Sequence, residues 1–277
     1  MTFTANELTR FETFGFVVLR GFLGREELAA FGAEFDLGLA RARKEMSRKG
    51  GRRQLNWSNL GPDTPRLAGL LEDPRFVGAA EQLFGGGAVG AVGHYANSNS
   101  FDGEQTEWHP DTADLRRRGV KFAFYLQPLD GNTGALRLVP GSHRDPLHSA
   151  IAALPLKQSI DGVANEEGLP TDEVPAFAAR SEPGDVIAFD NRVWHASWGG
   201  GSDRRMCSVG YFAAPETPGE EASVRELAGQ HAGLVDSFPL LRPHPEWLAN
   251  PGGSPQRRRW LEVLRRWGFE GHVDSGE

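Results

Sequence analysis

Hydrophobic residues recur at helical spacing in the first part of the chain. Thr4 and Glu7 form the pattern of a capping box, which begins a helix. Amphipathic patterns at 24–42 and 73–84 indicate two further helices, the second beginning at an Asp-Pro pair and ending at a glycine run. The glycine-bounded apolar run 15–22 is typical of a short strand. We therefore predict three helices and one strand before residue 88.

The pattern changes from residue 88 onward to short apolar or alternating runs separated by turn residues. Such runs indicate antiparallel strands of a sandwich or barrel. The stretch 142–183 is polar, and we predict an insertion without strands there. Near the end, the pattern predicts one helix at 255–267. The predicted strand regions are 88–96, 120–126, 135–141, 185–197 and 205–215.

We expect the 277 residues to form one domain that is mainly β with flanking helices. Its predicted parts are a helical N-terminal support at 1–87, a β-rich core at 88–215 that contains the insertion 142–183, and a helical tail at 216–277. Residues 41–53 hold seven Lys or Arg residues against one Glu, with a double glycine, so we expect a basic loop there.

The composition narrows the class of protein. Hydrophobic residues make up 39% and charged residues 24%, as in ordinary globular domains, and no apolar run is long enough to span a membrane. The first residues lack the basic and apolar regions of a signal peptide, so we expect a cytoplasmic protein. The net charge of −7 disfavours nucleic-acid binding. Cys207 is the single cysteine, which excludes an internal disulfide and a cysteine-built zinc site and leaves histidine and carboxylate as metal ligands.

The pentapeptide EWHPD at 107–111 places a histidine and a carboxylate two residues apart. Side chains at i and i+2 of an extended segment project from one face, so His109 and Asp111 can bind one metal ion. His195, at the end of DVIAFDNRVWHAS, supplies a second imidazole. Two histidines and one carboxylate form the facial arrangement of non-heme Fe(II) oxygenases, which leaves positions for a 2-oxoacid and O2. An arginine of SDRRMCSVGYF supplies the charged fork that the distal carboxylate of 2-oxoglutarate needs.

Four sequence blocks, in this order, resemble the phytanoyl-CoA dioxygenase family of Fe(II)/2-oxoglutarate oxygenases. They are GFVVLRGFL, EWHPD, NTGALRLVPGSH, and GDVIAFDNRVWHAS followed by SDRRMCSVGYF. The resemblance covers roughly residues 7–213. It implies a double-stranded β-helix core, of the jelly-roll or cupin-like kind, with Fe(II) as cofactor and with 2-oxoglutarate and O2 as cosubstrates.

The resemblance also implies which residues bind iron. His109, Asp111 and His195 match the family's ligands. Pro110 departs from the glutamine that the family commonly has between the first two ligands, which removes a donor and stiffens the turn. Related halogenases have Gly or Ala in place of the carboxylate, and since Asp111 fills that position we expect hydroxylation.

A second group of residues is implied for 2-oxoglutarate. Arg204 stands seven residues before Tyr211, the spacing of the family's anchoring arginine, and is preferred to Arg205. Phe212 permits the other register, in which Arg205 would be the anchor, because successive side chains face opposite sides of a strand. The further candidates for contact with the cosubstrate are Ser197, Asn97 and Asn99.

The ligand set and the resemblance together predict a hydroxylase. We expect hydroxylation of an unactivated C–H bond in a small-molecule metabolite, such as a natural-product intermediate, with release of succinate and CO2. Desaturation, epoxidation and cyclisation stay open as alternative outcomes. The alternative classes are a cupin-like metal-binding barrel and a zinc hydrolase without oxidative chemistry, neither of which explains the arginine.

The substrate is less defined, because family members act on acyl-CoA thioesters, amino acids and natural-product intermediates. The basic segment 41–53 would concentrate an anionic ligand, so we predict a small substrate with a carboxylate or phosphate. A solvated basic segment beside an apolar pocket is the competing interpretation. We expect the tail around Trp260 and Trp267 to act as a lid or a subunit contact, and a homodimer stays open. The predicted substrate contacts are Arg52, Arg53, Trp57 and His94.

Overall fold

Two antiparallel β-sheets lie at the centre of the protein. The structure is a computed structural model, which describes residues 3–47, 54–101, 106–156, 159–160, 163–164, 169, 171–199, 204–237 and 239–269.

The strands are numbered β1 to β13 in chain order. They span Phe16–Leu19, Gln54–Ser58, Ala88–Gly90, Asn97–Phe101, Thr106–His109, Gly119–Tyr125, Leu136–Leu138, Ser159–Ile160, Val163–Ala164, Phe177–Ala178, Val186–Asp190, His195–Ser197 and Arg204–Ala213. The helices, α1 to α8, span Ala5–Phe14, Arg25–Ser47, Pro65–Gly69, Pro74–Phe84, Leu147–Ala152, Pro218–Ser237, Pro245–Ala249 and Pro255–Arg266.

The larger sheet has the strand order β1–β11–β6–β13–β4–β2, with β3 beside β13, and the smaller sheet has the order β10–β7–β12–β5. Side chains from both sheets form one apolar cluster between them. This arrangement confirms the predicted fold class, a mainly β protein with a jelly-roll core and flanking helices. The interior cluster includes Ala123, Tyr125, Leu136, Leu138, Ile187 and Phe189.

Successive side chains of β6 lie on opposite faces of the larger sheet. Phe122 and Phe124 belong to the core beneath the helices, where the ring of Phe122 lies 5.3 Å from that of Phe76 in α4. Ala123 and Tyr125 belong to the interior cluster instead. The helices therefore cover the outer face of the larger sheet, and its other face is turned toward the smaller sheet.

The three predicted N-terminal helices are confirmed. Helix α1 begins at a capping box, in which the Thr4 hydroxyl accepts from the Glu7 amide and the Glu7 carboxylate accepts from the Thr4 amide at 2.8 Å. Helix α4 begins at Asp73, whose carboxylate accepts from the amide of Arg75. Helix α2, however, continues to Ser47, so the first half of the predicted basic loop is helical. The helix continues because residues 41–47 contain neither glycine nor proline.

Other elements depart from the pattern-based prediction. The insertion 142–183 contains α5 and the short strands β8, β9 and β10, and β10 pairs with β7 as the edge strand of the smaller sheet, so the expectation of a strandless segment is wrong. Strand β2, which the pattern did not indicate, pairs with β4. The region 88–96 is a strand only as far as Gly90. The tail contains α6 and α7 in addition to the predicted helix α8.

The tryptophans of the tail are core residues, so the prediction of a lid or subunit contact is wrong for them. Trp260 and Trp267 are both buried in the cluster beneath the larger sheet. The Trp260 indole N–H donates to the carbonyl of Ala88 at 2.9 Å, and its ring packs against Tyr211 of β13. Among the helices in the described ranges, none is long and apolar enough to cross a membrane.

Candidate metal centre

Paired strands bring the two candidate histidines together. His195 of β12 is paired with His109 of β5, and their ring centroids are 4.4 Å apart. Asp111 follows two residues after His109, just beyond the end of β5. One ligand atom from each of the three residues lies within 4.8 Å of the others. The H-x-D segment and the distal histidine therefore converge at one point.

Backbone carbonyls orient both imidazole rings. Nδ1 of His109 lies 2.6 Å from the carbonyl oxygen of Glu107, and Nδ1 of His195 lies 2.9 Å from that of Val193. A carbonyl oxygen only accepts hydrogen bonds, so the ring proton belongs on Nδ1 in each case. The Nε2 lone pairs are thereby left to bind a metal, in the arrangement usual for metal-binding histidines.

The electrostatics keep His195 in the form that binds metals. Burial, which is the main cause, and the neighbouring His109 together lower the pKa of His195 to about 3, against the opposing effect of Asp111. The imidazole is therefore neutral at physiological pH, as a metal ligand must be. Nε2 of His195 lies 4.0 Å from Oδ1 of Asp111. At this separation both atoms can bind the same metal ion.

The donor set fits Fe(II). Two neutral imidazole nitrogens and one carboxylate oxygen are the ligands of the facial site of non-heme iron oxygenases, and they leave coordination positions for a cosubstrate. His109 is the exposed member of the group, whereas His195 is buried. The three residues together could hold an iron ion that is reached from one side.

The two candidate arginines face opposite sides of β13. Arg204 is buried, and its guanidinium donates to the Gly134 carbonyl at 2.9 Å and to the Ser197 hydroxyl at 2.6 Å. Ser197 stands two residues after His195 on β12, and its hydroxyl is also 2.7 Å from that of Thr106. Arg204 therefore links β13 to β12, the strand that carries His195.

Arg205 turns to the outer face instead. Its guanidinium forms an ion pair with Asp36 of α2 and lies 4.6 Å from the ring centre of Phe35. These contacts attach β13 to the helix layer, on the side of the sheet away from the candidate metal ligands.

Asn97 and Asn99 are both buried and lie on one face of β4. The side-chain carbonyl of Asn97 accepts from the hydroxyl of Ser208 at 2.8 Å, and the side-chain amide of Asn99 donates to that of Asn56. Ser98 lies between them and turns to the outer face, where it contacts the buried Cys207. The two asparagines thus add a polar patch to the inner side of the larger sheet.

Trp57 does not belong to this interior, and its predicted contact with substrate is wrong. The side chain is fully buried on the outer face of β2, with its ring 4.9 Å from that of Phe35. Gly38 of α2 makes this possible, because a Cβ there would lie 2.1 Å from the Trp57 indole nitrogen. The other predicted substrate contacts, Arg52, Arg53 and the side chain of His94, lie outside the described residues.

Lys121 is the main residue of the site that sequence reasoning missed. Its Nζ lies 2.7 Å from Oδ2 of Asp111, and both side chains are buried. The signal was present in VKFAFYL, where one lysine interrupts an apolar strand at the same phase as Ala123 and Tyr125. A lysine at an inward position of a buried strand requires an anionic partner.

Comparisons with known proteins agree with this geometry. The sequence profile of the family described as phytanoyl-CoA dioxygenase (PhyH) matches residues 11–207. An ectoine dioxygenase of Bordetella bronchiseptica is 25% identical over 217 residues, which cover 70% of this chain and 70% of that protein.

Solved structures with a similar fold include those of HygX and SnoN. HygX from Streptomyces hygroscopicus, with nickel and 2-oxoglutarate bound, superposes with a TM-score of 0.57 at 19% identity, covering 77% of this chain and 88% of that chain. The epimerase SnoN, in complex with Fe3+, α-ketoglutarate and nogalamycin RO, superposes with a TM-score of 0.51 at 18% identity, covering 76% of this chain and 83% of that chain.

The predicted cofactor Fe(II), the cosubstrates 2-oxoglutarate and O2, and the predicted enzyme class, a 2-oxoglutarate-dependent dioxygenase, are confirmed by the family match and by the His-Asp-His donor set. The matched residues span most of the chain and include His109, Asp111, His195, Arg204 and Arg205. The chain belongs to the phytanoyl-CoA dioxygenase family of Fe(II)- and 2-oxoglutarate-dependent oxygenases.

Proposed function

We propose that the protein hydroxylates an unactivated C–H bond of a small-molecule metabolite, with His109, Asp111 and His195 as the ligands of Fe(II). The convergence of these three side chains carries the proposal, because their ligand atoms lie within 4.8 Å of one another in a chain of this family. When bound, Fe(II) supplies the redox chemistry by which O2 and 2-oxoglutarate give CO2 and succinate while one oxygen atom enters the substrate. The alternatives without oxidative chemistry lose their support, because the family is one of oxygenases.

The residues of the chain position the reactants. The Nδ1 contacts of His109 and His195 fix the two rings, and the Asp111 carboxylate takes the position that halogenases leave for halide. Arg204 and Ser197 bind the distal carboxylate of 2-oxoglutarate in this proposal, since a buried guanidinium and a hydroxyl 2.6 Å apart suit that group. Asn97 and Asn99 are the next candidates for contact with the cosubstrate.

The substrate class is proposed from the names and bound ligands of similar proteins. The relative from B. bronchiseptica is named for ectoine, and SnoN was crystallised with nogalamycin RO, so both names support a small metabolite, among them natural-product intermediates. We keep the proposal that the substrate carries a carboxylate or phosphate. Arg43 and Lys44 are exposed on the last turns of α2, and Arg52 and Arg53 follow later in the sequence, whereas Arg41 forms an ion pair with Asp63.

A substrate screen tests the reaction class. Fe(II)-loaded protein is incubated with 2-oxoglutarate, O2 and a panel that includes ectoine, amino acids, acyl-CoA thioesters and aromatic natural products. Succinate formation and product mass are measured under 18O2. Hydroxylation predicts substrate-dependent succinate and a product that contains one 18O atom. A product of unchanged mass, or one that has lost two hydrogen atoms, would replace hydroxylation by epimerisation or desaturation.

Neutralising Arg52 and Arg53 tests the charge of the substrate. The double variant should bind the substrate more weakly than the wild type at low salt, and the difference should shrink at high salt, because salt screens exposed charges. The matched control is the exchange of Arg258 and Arg259, two exposed arginines of α8. Equal apparent affinity of the variant and the wild type at both salt concentrations would remove the anionic-substrate proposal.

A further inference from the structure

Lys121 projects from β6 toward the candidate metal centre. In the larger sheet it is paired with Gly210 on one side and Phe189 on the other. Gly210 has no side chain, and a Cβ there would lie 3.0 Å from Cβ of Tyr95. Tyr95 therefore sits against this part of β13, within reach of the lysine.

Within the part of the chain that the structure describes, two aromatic rings and the carboxylate of Asp111 lie around the ammonium. Nζ lies 5.1 Å from the ring centre of Tyr95 and 5.9 Å from that of Phe189. The side chain is 9% exposed, and Oδ2 of Asp111 lies 2.7 Å from Nζ. Ring faces attract a cation only weakly, so the carboxylate is the strong partner that makes burial of this charge tolerable.

The two oxygens of Asp111 have different neighbours. Oδ2 faces Lys121, whereas Oδ1 faces His195, with 4.0 Å between Oδ1 and Nε2. Asp111 lies beyond the end of β5, in the segment that follows the strand. The phenol of Tyr95 donates to the backbone carbonyl of Asp111 at 3.4 Å, and the contact of the ammonium with Oδ2 restrains rotation of the carboxylate.

We propose that Lys121 is a positioning residue of the metal centre, which holds Asp111 through Oδ2 so that Oδ1 is presented to the metal. The inference rests on the proposed function, because it takes Asp111 as a ligand of Fe(II). Groups that orient metal ligands typically contribute 10- to 100-fold to metal affinity. The ammonium also balances the charge of the carboxylate in the metal-free protein.

Metal affinity tests the inference without activity as the readout. Binding of Co(II) to the metal-free protein is measured by competition with a chelator, and the visible spectrum of Co(II) reports its coordination. Lys121→Met should weaken binding by about 10- to 100-fold and change the spectrum. Lys121→Arg, which keeps the charge, should restore most of the affinity. The matched control is Lys44→Met, the same exchange at an exposed position of α2, which should leave binding unchanged.

Further measurements separate a positioning role from other roles. The unfolding midpoint of each metal-free variant shows whether the fold is retained, and if Lys121→Met does not fold, Lys121→Gln and Lys121→Arg are compared instead. Unchanged or tighter Co(II) binding by the neutral variants would overturn the inference. A raised substrate KM at saturating metal, with metal affinity unchanged, would also overturn it and make Lys121 a substrate anchor.

Asp111→Asn distinguishes failure of this inference from failure of the proposed function. If Asp111 is a ligand, this variant should lose most of the Co(II) affinity, and adding Lys121→Met should then have little further effect. Wild-type affinity in Asp111→Asn would refute the ligand assignment itself. Loss of affinity in Asp111→Asn together with full affinity in Lys121→Met would refute only the role of Lys121.

Discussion

His195 lies directly opposite His109 in the pairing of β12 with β5, with 4.4 Å between the ring centroids. The register of two short strands thus sets the separation of the two candidate imidazole ligands. A slip of one residue would turn His195 to the other side of the smaller sheet. The geometry of the metal centre therefore depends on the strand register as well as on the identity of the ligands.

Asp111→Ala should abolish succinate formation, because it removes one of the three proposed ligands. It should also lower the free energy of unfolding of the metal-free protein, because the buried ammonium of Lys121 loses its partner at 2.7 Å. Breaking a buried ion pair costs about 3–5 kcal/mol. Chemical denaturation measures this loss, and Asp111→Ala combined with Lys121→Met should recover much of it. Substantial turnover by Asp111→Ala would count against the ligand assignment.

Arg204→Ala should raise the 2-oxoglutarate concentration needed for half-maximal turnover by at least about tenfold, since loss of a buried charged partner costs about 2–5 kcal/mol. Arg205→Ala is the matched control on the next residue. It should leave the 2-oxoglutarate requirement unchanged and cost less than about 1 kcal/mol through its ion pair, because the partner Asp36 is exposed. Steady-state kinetics measure the 2-oxoglutarate requirement of both variants. A raised requirement in Arg205→Ala, with none in Arg204→Ala, would identify Arg205 as the residue that binds 2-oxoglutarate.

Trp260→Ala should destabilise the fold by about 3–5 kcal/mol, the usual cost of deleting a buried large aromatic ring. Trp260→Phe keeps most of the ring volume but loses the hydrogen bond to Ala88, so its cost should be smaller. Urea denaturation measures both variants. The KM for 2-oxoglutarate should be unchanged in both variants. A changed KM without a change in stability would instead support a lid function for Trp260.

The buried side chain of His143 should contribute to the pH dependence of the free energy of unfolding. Burial lowers the pKa of His143 from its ordinary value of 6.5. Below that value the unfolded chain binds a proton that the folded protein does not, so the contribution of His143 is complete above about pH 6.5 and is lost as the pH falls toward the folded-state pKa. His143→Gln should flatten this decline. Unfolding free energies of the metal-free proteins between about pH 5 and 8 measure it, and parallel curves would exclude the effect.

Much of the fold could be predicted because its signals are local. The Thr4–Glu7 capping box and the Asp73 cap mark the starts of α1 and α4 within a few residues. Strands β6, β11 and β13 are apolar runs bounded by turn residues. Strands β2 and β10 could not be predicted in this way, because pairing with β4 and β7 creates them from segments without a strand pattern of their own.

The part of the site that follows from motif spacing could be predicted from the sequence. EWHPD and the distal histidine indicated the three side chains that converge. Trp57 was placed wrongly because the sequence does not reveal which face of a short strand is turned to the helices. Lys121 was missed because its partner, Asp111, is brought near only by the pairing of the strands and the loop after β5.

Anaerobic titration of the metal-free protein with Fe(II) and 2-oxoglutarate is the most direct test of a centre formed by His109, Asp111 and His195. A weak visible charge-transfer band should form only when both Fe(II) and 2-oxoglutarate are present. It should saturate at one equivalent of iron and be absent in His195→Ala. Tight Zn(II) binding without any such band, or a full band in His195→Ala, would contradict the proposed centre.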